Sequence, residues 1–319
     1  QWYKNGSTLI TGATNSTYTF ANAQLSDSGT TFSCVASNVF GALPSSSATL
    51  TVIAAPTQPY PVAVLANSPI GYWRLNEADN AGGNNGVVTH DYYGGHNGYF
   101  SNTLNAVNGY NPTADPDTAS QFGSVSPQNS YVANINGIDF ARATNAASGG
   151  RFAVEAWVWG LNQSVPAAIV SKGYNGILTA GTGTGTEQFV LDVTGNPSTF
   201  RFLVRDAAGN GTVALSTALP YDPGTLQPAW RHLVGVCDQP NGSIYLYVDG
   251  LLAASGSIGT GVGILAQPLP MTIGSRQSGG AAQDRPAARV HILDVGRAVA
   301  LEREHAVPVE RDVAGRVLV

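Results

Sequence analysis

The alternation of apolar and polar positions is clearest in residues 230–255. Three apolar runs there are separated by two turn signals, Pro240-Asn241-Gly242 and Asp249-Gly250. Asn-Gly and Asp-Gly supply residues that tolerate positive φ, which the tight turns of hairpins require. Between the turns Ile244, Leu246 and Val248 alternate with Tyr245 and Tyr247, the period of a strand with two unlike faces. The pattern predicts three consecutive antiparallel strands. Residues 152–159 alternate in the same way. Phe152, Val154, Ala156 and Val158 fall on one face, and Glu155, Trp157 and Trp159 on the other. Further strands are predicted over residues 72–75, 168–173, 188–193 and 200–206, with residues 194–197 turning between the last two. Near the start, short apolar runs at residues 9–10, 18–20, 32–36 and 48–52 keep the spacing of short strands.

Composition narrows the class. Charged residues are 11% of the 319-residue chain, glycines number 38, and 43% of residues are hydrophobic. Many turns, few charges and enough apolar mass for a core describe an all-β protein rather than a helical or disordered one. A net charge of -5, with Lys4 and Lys172 as the only lysines, provides no electrostatic footprint for nucleic acid or an anionic membrane. No apolar run reaches the length of a bilayer span. The two cysteines, Cys34 and Cys237, fall in different predicted domains, so a disulfide between them is not expected and compartment is not readable from them.

Several passages, in order, resemble the laminin-G-like jellyroll, whose members share the concanavalin A-like sandwich. Residues 230–252 look like the hairpin typical of that family. Ile70-Gly-Tyr-Trp-Arg-Leu-Asn-Glu77, Ala119-Ser-Gln-Phe-Gly-Ser124, Phe152-Ala-Val-Glu-Ala-Trp-Val-Trp159 and Met271-Thr-Ile-Gly-Ser-Arg276 resemble its other strands. The resemblance spans about residues 67–280 and implies a concanavalin A-like antiparallel β-sandwich.

Residues 1–53 resemble part of an immunoglobulin-like β-sandwich, strands C to G. Trp2 stands where the buried strand-C tryptophan belongs, Asp27-Ser-Gly29 precedes strand F, and Cys34 occupies the strand-F cysteine position. Phe32 replaces the corner tyrosine, and strands A and B would lie upstream. Because a half-domain leaves core surface uncovered, this piece is expected to be marginal alone. Residues 54–66, with Pro56, Pro59 and Pro61, read as a semi-rigid linker, with residues 62–67 a short strand or a helical turn leading in. The jellyroll is assigned to residues 67–296. From Asp284 onward arginine and acidic residues become common, and residues 299–307 look helical. His291-Ile-Leu-Asp-Val295 matches the family's last strand only in part. This end reads as divergent or frame-shifted in origin and poorly docked, leaving residues 297–319 as an atypical charged tail.

Two sets of side chains are candidates for function. Glu155, Trp157 and Trp159, joined by Tyr245 and Tyr247, can line an outer sheet face where aromatic rings stack on sugars and an acid bonds hydroxyls. The same rings can equally be covered by loops and pack. Residues 77–98 collapse into Asn, Gly, Asp and Tyr, a loop of a length that is usually functional or metal-organised. The family resemblance implies a structural calcium at the sandwich rim. Glu77, Asp79 and Asp91 are its candidate ligands by chemistry, with Asp294 a fourth, and a solvated loop without an ion is the alternative. The glycine runs 181–185 and 259–263 match no phosphate-loop pattern and read as connections.

Motifs for metalloprotease, serine-hydrolase and dithiol chemistry are absent, and the five histidines are scattered. Residues 152–159 carry one carboxylate where glycoside hydrolysis usually requires two. The expectation is a non-catalytic recognition or adhesion module, extracellular and either secreted or displayed at a surface, as part of a longer protein. Its partners would be glycans or cell-surface and matrix polymers, with neither nucleic acid nor membrane insertion. A purely structural spacer and an accessory module of a polysaccharide-degrading enzyme are the alternatives.

Overall fold

The computed structural model describes residues 1–81, 84–110, 116–122, 130–141, 150–160, 167–173, 187–195 and 197–275, and the backbone of residues 285–293. Asp294, the glycine run 181–185 and the tail 297–319 lie outside the described residues. The chain divides into two compact units, Gln1–Thr57 and Gln58–Val319.

The first unit is one five-stranded antiparallel sheet in which Trp2–Lys4 and Gly41–Pro44 flank the strand Thr31–Asn38. Trp2 is the register partner of Cys34. Residues 18–20, expected as a strand, form none, yet Tyr18 and Phe20 set their rings against Phe32 at 5.8 and 5.5 Å. None of residues 1–53 is buried. This unit is a single layer with no buried side chain among residues 1–53 and is not by itself a complete sandwich.

The second unit is all-β apart from short helical segments: two eight-stranded antiparallel sheets stacked face to face. The front sheet runs in the order Leu251–Ser257, Ser243–Val248, Ala229–Asp238, Arg151–Gly160, Arg285–Leu293, Thr118–Phe122, Leu104–Asn108, and Gly71–Trp73 also pairs with Arg285–Leu293. Arg285–Leu293 is therefore a central strand. The change of composition at Asp284 does not mark the end of the sandwich, because a strand paired on both sides is held by its backbone ladder whatever its side chains. The second sheet includes Thr199–Arg205, Phe189–Thr194, Ala167–Lys172 and Met271–Ile273, in that order.

The meander forms as its turns require. Asp249 and Gly250 both take positive φ, 52° and 77°, the geometry that matches the twist of the flanking strands. The other turn is a 3-10 segment, Gln239–Asn241, closed by Gly242 at φ 71°. Phe152, Val154 and Ala156 point inward with Leu233, Ile244 and Leu246 and meet Phe189, Phe200 and Phe202 of the second sheet. The two sheets approach closely at Gly235, where an added Cβ would lie 2.5 Å from the Phe202 ring.

The stretch expected as a linker is mostly something else. Pro59–Ala66 is an α-helix, and it belongs to the second unit. Proline at the first helical position has no N–H to lose and a φ already suited to the helix. Pro61 and Val64 are buried and Val62 is exposed, so one side of the helix is covered.

Candidate functional site

The outward rows of the front sheet follow from register. Glu155 pairs with Val234 on one side and His291 on the other, Trp157 with His232 and Arg289, and Trp159 with Trp230. Val234 in turn pairs with Tyr247, and Val236 with Tyr245. Tyr247 therefore shares the row of Glu155 but stands two strands away, about 10 Å at ordinary strand spacing. Tyr245 and Tyr247 are half-buried, 6.4 Å apart, and rest on the core.

Glu155 and Trp157 are joined by a residue that the sequence placed in the linker. Tyr60, from the helix Pro59–Ala66, donates its hydroxyl to Glu155 Oε1 at 2.9 Å and accepts the Trp157 Nε1–H at 2.8 Å. His232 Nε2 lies 2.8 Å from the same Glu155 oxygen. Burial, and after it the charge of Glu155, raise the Tyr60 phenol well above its ordinary value, so it stays a donor. The Trp157 ring is stacked on His232 at 4.8 Å and 29°, lies 3.9 Å from Tyr110 and meets Tyr60 edge-on at 6.2 Å. Glu155, 9% exposed, is thus covered by the helix, and Trp157, half-buried, is engaged by the helix, His232 and Tyr110.

Trp159 differs. It is 37% exposed at the end of its strand and makes no hydrogen bond or ring contact among the described residues. Its partner Trp230 is half-buried and meets the exposed Tyr110 edge-on, at 6.2 Å and 87°. Trp230 and Tyr110 were missed in the sequence. For Trp230 a signal existed: aligning residues 230–232 antiparallel to residues 157–159 sets Trp230 beside Trp159 and His232 beside Trp157. Tyr110, in a loop, carries no such signal.

The expected calcium ligands do not converge. Glu77 Oε1 accepts from Thr89 Oγ1 and the His90 amide, and Asp79 Oδ1 accepts from Asn84 Nδ2 and the Asn105 amide. Asn84 and that amide hold the Asp79 carboxyl below its ordinary range. Asp91 takes four backbone amides, those of Tyr72 and Tyr93 on Oδ1 and those of Gly94 and His96 on Oδ2. The three networks share no residue. Calcium asks for six to eight oxygens around one point, whereas Glu77 Oε1, Asp79 Oδ1 and both Asp91 oxygens accept from separate donors that fold the loop, and the buried Glu77 Oε2 has no hydrogen-bond partner among the described residues. Among the described residues no three metal-ligating side chains cluster. The donor set as described does not fit the ion.

Both cysteines are free thiols. No helix among the described residues is long and apolar enough to cross a membrane.

Residues 132–292, about half of the chain, match the family model described as the concanavalin A-like lectin/glucanases superfamily. That match does not reach residues 1–53, and nothing in the comparisons supports an immunoglobulin-like assignment for them. No curated protein matches. Among solved structures, the ligand binding domain of botulinum neurotoxin serotype D, in complex with N-acetylneuraminic acid, is 11% identical and has a TM-score of 0.47. The match covers 78% of this chain and 53% of that one. The binding domain of Paraclostridial mosquitocidal protein 1 is 14% identical over 76% of this chain and 52% of its own, with a TM-score of 0.44. Trypanosoma rangeli sialidase is 16% identical over 74% and 33%, with a TM-score of 0.43. The chain thus spans about half the length of the two toxin domains and a third of the sialidase. At these scores the likenesses say nothing of ligand or activity.

Proposed function

The chain belongs to the concanavalin A-like lectin/glucanase superfamily, and from that premise we propose that it is a non-catalytic, extracellular carbohydrate-recognition module. Its partners in this reading are glycans or glycan-bearing surface and matrix polymers. The observation that carries the reading is Trp159, an exposed indole at the end of a rigid central strand whose ring and N–H are both unengaged among the described residues. Aromatic side chains combine a large apolar face with a polar tip and lose little conformational freedom on binding, which suits the mixed C–H and hydroxyl surface of a sugar.

The absence of turnover in this reading rests on Glu155. Hydrolysis by acid pairs needs two carboxyl groups about 5–9.5 Å apart on either side of the scissile bond. The register neighbours of Glu155 are Val234 and His291, neither of them an acid. Its Oε1 is already held by Tyr60 and His232.

Glycan-array binding by the intact chain tests the proposal. The expected result is retention of a defined set of glycans, lost in Trp159→Ala and kept in Tyr99→Ala, an exposed tyrosine of the second sheet. Equal binding by the two variants would move recognition away from this face. Retention of no glycan by the parent chain would end the carbohydrate reading.

A further inference from the structure

The five tryptophans of the chain divide by what their indole N–H does. Trp2 donates to the Asn15 carbonyl at 3.0 Å, Trp73 to the His96 carbonyl at 2.9 Å, and Trp157 to the Tyr60 hydroxyl at 2.8 Å. Trp159 and Trp230 donate to nothing among the described residues, and they are register partners on adjacent strands. Tyr110, 48% exposed, closes the third side, and its hydroxyl is likewise without a partner among the described residues.

Covered Trp and Tyr side chains ordinarily find a partner for their polar tips. Here three donors without a protein partner among the described residues stand at one end of one sheet, Trp159 and Trp230 as register neighbours and Tyr110 edge-on to Trp230, with Trp159 and Tyr110 open to solvent. The arrangement is also held in place from behind. Tyr110 lies 3.9 Å from Trp157, and Trp157 is fixed by its bond to Tyr60 and its stack on His232. Tyr110 therefore meets Trp230 at a near right angle as part of a packed layer, although it leaves half its surface to solvent.

We propose that Trp159, Trp230 and Tyr110 form one subsite that seats a single uncharged pyranose. A C–H face of the sugar lies on an indole, and its hydroxyl oxygens accept from the indole N–H groups and the Tyr110 hydroxyl. This rests on the carbohydrate reading above and assigns it to a place and a ligand class. The uncharged class follows from the neighbouring cations. Arg231 is held by Asp249 at 2.8 Å and by the carbonyls of Leu219 and Tyr221 at 3.2 Å each, and His232 is held by Glu155. Among the described side chains the donors left for a ligand are neutral, and indole donates without accepting. A carboxylate sugar gains most from charge-assisted bonds, which these residues do not offer.

Titration calorimetry on the intact chain, with a neutral glycan from the array and its sialylated or uronate counterpart, tests the assignment. Trp230→Ala and Tyr110→Ala are each expected to weaken neutral-glycan binding roughly tenfold, the scale of one lost stacking contact. Trp230→Phe, which keeps a ring and removes the N–H, should fall between them and the parent, and it guards against a folding defect in the alanine variants. Parent-like binding in all three variants overturns the subsite, and tighter binding of the acidic counterpart overturns the ligand class. Both results leave carbohydrate recognition standing, whereas a parent chain that binds no sugar overturns that reading and the subsite together.

Discussion

The Tyr60 hydroxyl donates to Glu155 Oε1 at 2.9 Å and so ties a helix that looks like a linker to the centre of the front sheet. The Tyr60 hydroxyl oxygen in turn accepts from Trp157 Nε1–H, which makes Tyr60 the junction of an acid, an indole and, through that indole, Tyr110. Tyr60→Phe removes a bond to a charged acceptor and strands a covered indole N–H. A loss of about 2 kcal/mol in unfolding free energy is expected, read by urea denaturation. A change near zero would mean that the junction contributes little.

The contribution of Tyr60 also has a pH signature. Its phenol is raised above the ordinary 10.0 in the folded chain, so the unfolded chain releases that proton first. The stabilisation is complete below about pH 10 and declines as pH rises toward the folded value. The stability gap between the parent and Tyr60→Phe should be flat near neutrality and narrow in alkaline buffer. A gap that is constant through the alkaline range would contradict the burial of the phenol.

Gly235 has no room for a methyl group, since its Cβ would meet the Phe202 ring at 2.5 Å. Gly235→Ala must push a fully buried ring of the opposite sheet, and overpacking of this kind costs about 1–3 kcal/mol. Thermal melting should show the decrease, and an unchanged melting temperature would show that the sheets separate easily here.

Cys237 is buried, donates Sγ–H to the Gly150 carbonyl at 3.2 Å, and has its thiol pushed from 9.0 up to about 12, chiefly by burial. Because the folded value is raised, its share of stability is present below about pH 9 and lost as pH climbs toward 12. A thiol reagent at mildly alkaline pH should modify the half-buried Cys34 in the native chain and reach Cys237 only after unfolding. Equal labelling of both in the native state would contradict this placement.

Residues 1–57 and 58–319 are two compact units, and the described core cluster of the second is built from its own residues. Deleting residues 1–53 should leave the melting temperature of the remainder within a few degrees of its value in the whole chain. A large fall would show that the second unit depends on the first.

What the sequence made legible was local. Ile244, Leu246 and Val248 reveal a strand because the period of two is written in consecutive residues, and Asp249-Gly250 reveals its turn for the same reason. Pairing across strands is not written there. Aligning residues 230–232 antiparallel to 157–159 places Trp230 beside Trp159 only once the two strands are known to be neighbours, and nothing near Glu155 says that Tyr60 caps it. Proline in residues 56–61 fits both a stiff linker and the first turn of a helix, and the composition does not separate the two. The carboxylates of the 77–98 loop posed a similar ambiguity. Asp91 binding four backbone amides and Asp91 binding a cation use the same oxygens, and only the placement of the surrounding N–H groups distinguishes them. At the other end, the arginine-rich composition after Asp284 hid a central strand, whose ladder is independent of its side chains.

The most direct measurement for the central claim is affinity capture of a mixed glycan pool by the immobilised intact chain, followed by mass spectrometry of what is recovered. The account predicts that particular neutral glycans are retained and come back with their masses unchanged. An empty eluate, or captured glycans recovered as hydrolysed fragments, would contradict it.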